Sequence, residues 1–385
     1  MGFEMEAIGY KYRRFSSYRH TLSPLRLTGT SLCASPCTIK HPVMKYFVVI
    51  LVFLVGAVVA KPKTTTSDDL KQQNNDISSK EYLKRVFQHS VVSYVGSDAQ
   101  DIVEKLQDLG LHEAATIAKQ VDLKQILRDS DLPSVTLFMP NDKAVQKWRQ
   151  ELPRRQMPAR EILKNLVKAW IVPKRVMSSE ITNNQKMESL NGAKLRFNIY
   201  SDVERVATVN GARITDAITT SVNEIIQIVD KVIYPLPIGS VIETLVDSKA
   251  FSVIVDLVSQ AGLKEELESD PITVIVPTND AFQALPSGVL DDLKRDNDKL
   301  RNLLRYHVIS EVRYSVSLTS GQRIRASQGD EISVTRNNED QIVLNEQSEQ
   351  SEAPRVILRD IPTTNGVIQV VDRVVLPPQR HFVLV

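Results

Sequence analysis

The stretch "TTNGVIQVVDRVVLPP" runs from Thr363 to Pro378 and decides the fold. It begins with a turn signal, continues as an apolar strand around one aspartate, and stops at two prolines. A similar stretch, "TSVNEIIQIVDKVIYPLP", runs from Thr220 to Pro237, and Asp230 there takes the place of Asp372. A sequence that repeats itself over this distance predicts two copies of one domain.

Two further pairs of segments match at a constant offset. "SVTLFMPNDKAVQKW" and "ITVIVPTNDAFQAL" each read as a short strand, a proline and a new helix, and Pro140 and Pro277 lie 137 residues apart. "KAWIVP" and "RYHVIS" align at the same offset. Small polar residues directly after a strand cap helices well. The expected helix caps are therefore Asn141 or Asp142 in the first copy and Thr278 or Asn279 in the second.

Helical spacing marks the front half of each copy and short strands mark the back half, which favours an α+β fold. The predicted organisation is a basic polar leader at 1–43, a signal peptide or signal anchor at 44–60, a disordered linker at 61–90, a first domain at 91–235, a second domain at 238–378 and a short tail at 379–385. Only "PLPIG" separates the domains. Because two prolines stiffen so short a connection, the domains are expected to abut in a fixed relation.

A run of 15 apolar or small residues, Tyr46 to Ala60, follows Met44, which is the expected start unless a long leader is tolerated. The run is shorter than the roughly 20 residues that a transmembrane helix needs, and Val58 and Ala60 are small where a signal peptidase would cut. A cleaved signal peptide is therefore predicted, with an uncleaved anchor as the alternative. Either interpretation places residues 61–385 outside the cytosol, in the extracellular space or matrix.

The exported part of the chain carries little positive charge. The whole chain has a formal net charge of +2, but residues 1–60 hold seven bases and two acids, which leaves −3 for the rest. A nucleic-acid partner therefore loses its main support. Cys33 and Cys37 form a C-x-x-x-C pair in the leader, and neither zinc nor another cofactor is expected. No signature of a hydrolase, zinc protease or P-loop enzyme occurs, which favours a binding protein over an enzyme.

Alternation along the closing strand assigns its side chains to two faces. Ile368, Val370 and Asp372 share an apolar face, whereas Gln369 and Arg373 lie on the other face. Because that second face carries polar side chains, we expect it to touch water.

A carboxylate on an apolar face needs partners. We interpret Asp230 and Asp372 as residues that bind backbone amides at a bend. A metal or catalytic role is the alternative, and the sequence shows no partner ligands at suitable spacing. Asn365-Gly366, just upstream, is predicted to be a tight turn with a positive φ at the glycine.

Together these anchors resemble the fasciclin-like domain. The second copy matches through "VIVPTNDAF", "LLRYHVI" and "TTNGVIQVVDRVVLPP", with Gln369 where the family usually has histidine. The first copy is more divergent, with Ala169-Trp170 in place of Tyr-His and Asn223-Glu224 in place of Asn-Gly. The resemblance covers about 285 of 385 residues. It implies two tandem domains, each a twisted β-sandwich flanked by a helical layer.

The resemblance also implies a site. The family contains secreted or membrane-attached adhesion and matrix proteins, in which an Asp-Ile pair before the Asn-Gly turn and the Tyr-His region are proposed integrin contacts. These map onto Asp360-Ile361 and Tyr306-His307 in the second copy, and we expect the Asp360 carboxylate to be exposed beside its turn. The alternative is that Tyr306 and His307 are satisfied packing residues.

The expected function is extracellular adhesion. The resemblance implies binding of an integrin-like receptor or a matrix protein, chiefly through the second copy, and self-association is open. The alternative is a secreted carrier or glycan-binding module that uses a pocket between helices and sheet.

Overall fold

The computed structural model describes residues 101–152, 155–201, 205–221, 223–346 and 352–378. The predicted leader, signal segment, linker and tail lie outside this part of the chain, as do the first residues of the expected first domain.

The first copy opens with three short helices, which agrees with its apolar spacing: α1 (Ile102–Asp108), α2 (His112–Val121) and α3 (Leu123–Asp129). The Asp101 carboxylate caps α1 by accepting a hydrogen bond from the Val103 amide at 3.0 Å. The apolar side of these helices packs on the core, because its residues recur every three or four positions.

Strand β1 (Val135–Pro140) is buried along its whole length and leads into helices α4 (Asp142–Glu151) and α5 (Arg160–Ala169). The Asn141 side chain caps α4 by accepting a hydrogen bond from the Ala144 amide at 2.8 Å. The strand, proline and cap therefore follow one another as the sequence predicts.

The other strands of the first copy are β2 (Ile171–Val172), β3 (Gln185–Glu188), β4 (Lys194–Tyr200), β5 (Val206–Val209), β6 (Ala212–Ser221) and β7 (Glu224–Val229). With β1 they form a seven-stranded sheet in the order β2-β1-β7-β6-β5-β4-β3. Strands β1 and β7 are parallel. Asn210 and Gly211 join β5 to β6 with φ values of +46° and +78°, which is the conformation of a tight two-residue hairpin turn.

The helices of the second copy are α6 (Val241–Val246), α7 (Ser252–Ala261), α8 (Lys264–Leu267), α9 (Asn279–Gln283), α10 (Val289–Arg295) and α11 (Asn297–Tyr306). Thr278 caps α9 through a 3.2 Å hydrogen bond from the Ala281 amide. The Asn279 side chain instead accepts a hydrogen bond from the Val253 amide at 3.0 Å, which joins α9 to α7.

The strands of the second copy are β8 (Ile272–Pro277), β9 (Val308–Ile309), β10 (Arg323–Arg325), β11 (Glu331–Arg336), β12 (Ile342–Leu344), β13 (Val356–Pro362) and β14 (Gly366–Val371). They form a four-stranded sheet, β13-β14-β8-β9, and a three-stranded sheet, β10-β11-β12. Strands β8 and β14 are parallel, as β1 and β7 are. A bridge between Val343 and Arg355 connects the two sheets.

The four-stranded sheet is covered on both faces. Ile368 and Val370 pack with the helices, whereas Val371 packs with residues of the three-stranded sheet. Gln369 is 1% exposed and Gln227 in the first copy is fully buried, so the expectation that this face touches water is wrong. The physical reason is the second layer of the sandwich, which the strand pattern alone does not reveal. The chain thus holds two tandem α+β domains with sheet layers and a helical layer.

Candidate functional site at the domain junction

The Asp-Ile pair lies at a β-bulge. Strand β13 shifts its register against β14 between Leu358 and Ile361, and Asp360 inside this bulge has a φ of +61°. Aspartate is one of the few non-glycine residues that tolerate this conformation. Because the bulge breaks the alternation of the strand, Asp360 and Ile361 are both buried, at 5% and 4% exposure.

The Asp360 carboxylate accepts four hydrogen bonds. Its Oδ1 atom accepts from the Ser315 amide at 2.6 Å and from the Gln369 Nε2 at 3.0 Å. Its Oδ2 atom accepts from the Ser315 hydroxyl at 2.6 Å and from the Lys231 Nζ at 3.1 Å. Lys231 belongs to the first copy, so this carboxylate joins the two copies by a buried ion pair.

The environment keeps Asp360 ionised. Burial by itself would raise the pKa of its carboxyl group, but the Lys231 charge and the hydrogen bonds from Ser315 and Gln369 outweigh burial and lower that pKa below its ordinary value. The charge of a carboxylate so deep in a protein is stable only because these partners replace water.

The expectation that the Asp360 carboxylate is exposed is therefore wrong. Its side chain is 3% exposed, because the bulge turns it toward Ser315 and Lys231 rather than toward solvent. Ile361 packs in the core between helices and sheet. The role of Asp360 and Ile361 in partner binding stays a prediction. Because both side chains are buried, they can affect a partner only indirectly, by holding the two copies together.

Tyr306 and His307 are also buried, at 0% and 2% exposure. The Tyr306 hydroxyl donates to the Glu331 carbonyl at 3.0 Å and accepts from the Asn345 Nδ2 at 2.8 Å. These partners lie on the three-stranded sheet, so Tyr306 joins α11 to that sheet. The packing interpretation of this pair therefore fits the structure, and a direct partner contact does not.

His307 is held as a neutral ring. Its Nδ1 lies 2.9 Å from the Leu303 carbonyl, and its Nε2 accepts from the Val375 amide at 3.1 Å, which fixes the proton on Nδ1. Burial lowers the pKa of His307 to about 4. In the first copy, Trp170 occupies this place and its Nε1 donates to the Ile233 carbonyl at 3.3 Å. In both copies a hydrogen bond thus joins the end of the helix to the segment after the closing strand. The ring nitrogen accepts this bond in the second copy and donates it in the first.

An aromatic cluster lies beside the Lys231–Asp360 pair. It combines Tyr200 of the first copy with Val312, Tyr314 and Val367 of the second. The Tyr200 hydroxyl donates to the Val312 carbonyl at 3.1 Å and accepts from the Tyr314 amide at 3.3 Å. Gly211 lies against the Tyr314 ring so closely that a Cβ atom there would be 2.5 Å from its Cδ1.

A second ionic group completes the contact between the copies. Arg196 and Lys186 on neighbouring strands of the first copy both pair with Asp270 of the second, Arg196 at 2.8 Å. Both cations also donate to the Thr364 carbonyl at 3.0 Å. Burial of Asp270 opposes ionisation, but hydrogen bonds from Lys186 and Arg196 lower its carboxyl pKa below the ordinary value. We call these contacts, with the Lys231–Asp360 pair and the aromatic cluster, the junction.

The Asn365-Gly366 turn differs from its predicted form. Gly366 does not have the predicted positive φ. A Cβ atom there would instead lie 1.9 Å from the Ile272 carbonyl oxygen of the neighbouring strand. Close approach of two strands, not a left-handed backbone, explains this glycine. The Asn365 side chain accepts from the Val241 amide at 2.9 Å and donates to the Leu267 carbonyl at 2.8 Å, which ties the turn to two helices.

The two aspartates of the closing strands have matching roles. Asp230 Oδ1 accepts from the Arg213 amide and Asp372 Oδ1 from the Arg355 amide, each at 2.8 Å. These contacts agree with the interpretation of both residues as carboxylates that bind backbone amides. Their expected place on an apolar strand face is wrong, because each lies just past the end of its strand, where Asp230 is exposed and Asp372 is half-buried. Within the described residues, no group of three or more His, Cys, Asp and Glu side chains is placed to hold a metal ion.

Sequence reasoning did not find the first-copy half of the junction. Lys186, Arg196, Tyr200 and Lys231 lie in strands or strand ends, where their spacing has no pattern that marks them. The one available signal was Asn210-Gly211, a hairpin dipeptide whose tip meets the second copy. In the part of the chain that the structure describes, no helix has the length and apolar character to cross a membrane.

Comparisons with known proteins agree with this architecture. The model of the fasciclin domain matches residues 109–235 and again 249–377. The chain is 30% identical over 216 residues to the transforming growth factor-beta-induced protein ig-h3 of Sus scrofa, covering 56% of this chain and 30% of that protein. It is 26% identical over 288 residues to human periostin, covering 72% of this chain and 32% of periostin.

A smaller relative is matched over most of its length. The chain is 34% identical over 142 residues to the protein sll1483 of Synechocystis, covering 36% of this chain and 74% of that protein. By contrast, the chain spans only about a third of the length of ig-h3 and periostin. The family model matches more than half of the chain in two copies, and each copy pairs its first long strand in parallel with its closing strand, so the chain belongs to the fasciclin domain family.

Proposed function

We propose that the protein is an extracellular adhesion or matrix protein that binds a cell-surface receptor or a matrix protein. Membership of the fasciclin family and similarity to ig-h3 and periostin support an adhesion role. The apolar segment from Tyr46 to Ala60 supports export, and secretion is the proposed route. Binding rather than catalysis is proposed because the chain lacks the signatures of the common enzyme classes.

The observation that supports a two-domain mode of binding is the junction. Two ionic groups and an aromatic cluster hold the copies together, with Arg196 and Asp360 almost fully buried. A contact of this kind presents the surfaces of both domains to a partner in one arrangement. We therefore propose that the pair acts as a single binding unit.

The proposed partner contact lies on exposed surface of the second copy near the junction. The four residues singled out by resemblance are buried, so they act on binding only by holding that surface in place. The second copy is preferred because it keeps the Tyr-His pair, the Asp-Ile pair and the Asn-Gly turn, which the first copy lacks.

Cell attachment to the immobilised full chain tests this proposal. We expect the wild type to support attachment, Asp360→Asn to weaken it through the junction, and Asp292→Asn to leave it unchanged. Asp292 is a suitable control because it forms an exposed ion pair with Arg295, so the same charge is removed without altering a buried contact. A folded wild-type protein that attaches no cells and binds no matrix protein would refute the proposal.

A further inference from the structure

A polar cleft lies on the second copy and shares none of its lining residues with the junction. It has a volume of about 590 Å³ and lies between α11, α8 and the turn that joins β10 to β11. Its lining includes the polar side chains of Glu266, Asp298, Arg301, Asn302, Arg305 and Gln328. The volume is within the range of small-molecule sites, but the lining is polar, which favours a ligand rich in hydroxyl groups.

Two guanidinium groups are held in place at this cleft. Arg301 donates from Nε to the Ala261 carbonyl at 2.7 Å, and Arg305 donates from Nε to Glu266 Oε2 at 2.9 Å. Among the described residues, neither guanidinium has a hydrogen-bond acceptor for its terminal nitrogens. Because the Nε bonds fix both side chains, less conformational entropy is lost when a ligand binds.

The spacing of the two arginines carries a local cost. Like charges four residues apart on a helix repel each other. The first copy repeats the arrangement on α5, where Glu161, Lys164, Asn165 and Lys168 align with Asp298, Arg301, Asn302 and Arg305. Among the ion pairs of the described residues, Arg305 pairs with Glu266, whereas Arg301 pairs with no carboxylate and is available to an anionic group of a ligand.

The turn that faces this helix is held differently in the two copies. The turn residues Ser327 and Gln328 align with Leu190 and Asn191 of the first copy. The Asn191 Nδ2 donates to the Asn165 carbonyl at 3.1 Å, which brings the turn down onto α5. In the second copy, Gln328 Nε2 instead donates to Asp330 Oδ2 at 2.8 Å, and the Ser327 hydroxyl donates to Glu266 at 3.1 Å.

The charge of the surroundings limits the ligand. Between residues 238 and 378 there are 14 basic and 22 acidic residues, a net of −8, so a polyanion or a highly acidic peptide is repelled. Glu266 and Asp298 supply acceptors beside the guanidinium and amide donors. This mixture suits a ring of hydroxyl groups with a single carboxylate, since planar guanidinium groups bind carboxylates through paired hydrogen bonds.

We propose that this cleft binds an oligosaccharide that carries a carboxylate, with Arg301 and Arg305 on the carboxylate and Asn302, Asp298 and Gln328 on hydroxyl groups. This ligand is of a different class from the protein partner proposed above. Its readout is direct binding to purified protein, so adhesion and saccharide binding succeed or fail separately.

Titration calorimetry with the full chain tests the proposal. The probe is a tetrasaccharide with alternating glucuronic acid and N-acetylglucosamine, compared with the same saccharide after reduction of its carboxyl groups to alcohols. We expect the acidic saccharide to bind, and Arg301→Gln to weaken binding about tenfold or more. The control Arg295→Gln removes the same charge from an exposed position outside the cleft and should leave binding unchanged.

Several outcomes would overturn the proposal. They are absence of binding at millimolar saccharide, equal binding of the carboxyl-reduced saccharide, unchanged binding by folded Arg301→Gln, or tighter binding of a tetraglutamate peptide than of the saccharide. A chemical-shift map that places the acidic saccharide on α11 and the β10–β11 turn would support it.

Discussion

Replacing Asp360 by asparagine tests how firmly the two domains are joined. Asparagine keeps the size of the side chain and tolerates the positive φ of the bulge, so the variant removes little except the charge. In the variant, Lys231 loses the carboxylate with which it forms an ion pair, and the hydrogen bonds from Ser315 and Gln369 lose their charged acceptor.

The expected loss follows from burial. Breaking a fully buried ion pair costs about 3–5 kcal/mol, but the Lys231 side chain is 40% exposed and regains water. We therefore expect Asp360→Asn to lower the free energy of unfolding by about 2–3 kcal/mol. The coupling energy between Asp360 and Lys231 should be only about 1 kcal/mol, because the Lys231 side chain is partly solvated.

A double-mutant cycle with Lys231→Met, measured by urea unfolding, separates these contributions. The coupling energy isolates the contact across the junction, since the two residues lie in different domains. If Asp360→Asn costs less than about 0.5 kcal/mol, the carboxylate does not hold the structure as described. If the coupling is zero while the single variant is costly, Asp360 stabilises its own domain alone.

Three other changes give distinct results. Gly366→Ala places a Cβ atom 1.9 Å from the Ile272 carbonyl oxygen, so we expect a loss of about 3 kcal/mol in urea unfolding; wild-type stability would show that the strands do not approach so closely. Gly211→Ala combines a φ of +78° with a contact of 2.5 Å to Tyr314, and a loss of about 2–3 kcal/mol is expected, whereas an unchanged melting temperature would mean that the hairpin does not touch that ring. His307 has a folded pKa of about 4, below its ordinary 6.5, so the stability tied to its neutral ring is complete above pH 6.5 and is lost as the pH falls toward 4, by up to about 3 kcal/mol; His307→Gln should remove this part of the pH dependence, and an unaltered slope would contradict the assignment.

The parts of the fold that depend on neighbours in sequence were predictable. The Asn141 cap follows directly from the residue type after a strand and a proline, and so does the Thr278 cap. The amide contacts of Asp230 and Asp372 were predictable because a short carboxylate side chain at a bend bonds to nearby backbone amides.

The site was predictable only in part, because it depends on contacts between distant segments. Asp360 looked exposed beside its turn, yet its partner Lys231 lies 129 residues away and a bulge directs it inward. Gln369 looked solvent-facing because strand alternation does not show whether a second sheet covers the strand. Gly366 was recognised as necessary, but the cause is a neighbouring strand rather than its own φ.

We propose that the two fasciclin domains form one unit with a fixed junction, and an interdomain distance tests this most directly. Spin labels at Lys147 on α4 and Asp291 on α10, each replaced by cysteine in a Cys33→Ser, Cys37→Ser background, allow the distance between the domains to be measured by pulsed electron resonance. Both labelled positions are exposed and lie outside the junction. We expect one narrow distance distribution for the wild-type junction and a broad one when Asp360→Asn is combined with Arg196→Gln. A broad distribution already present with the junction intact would contradict it.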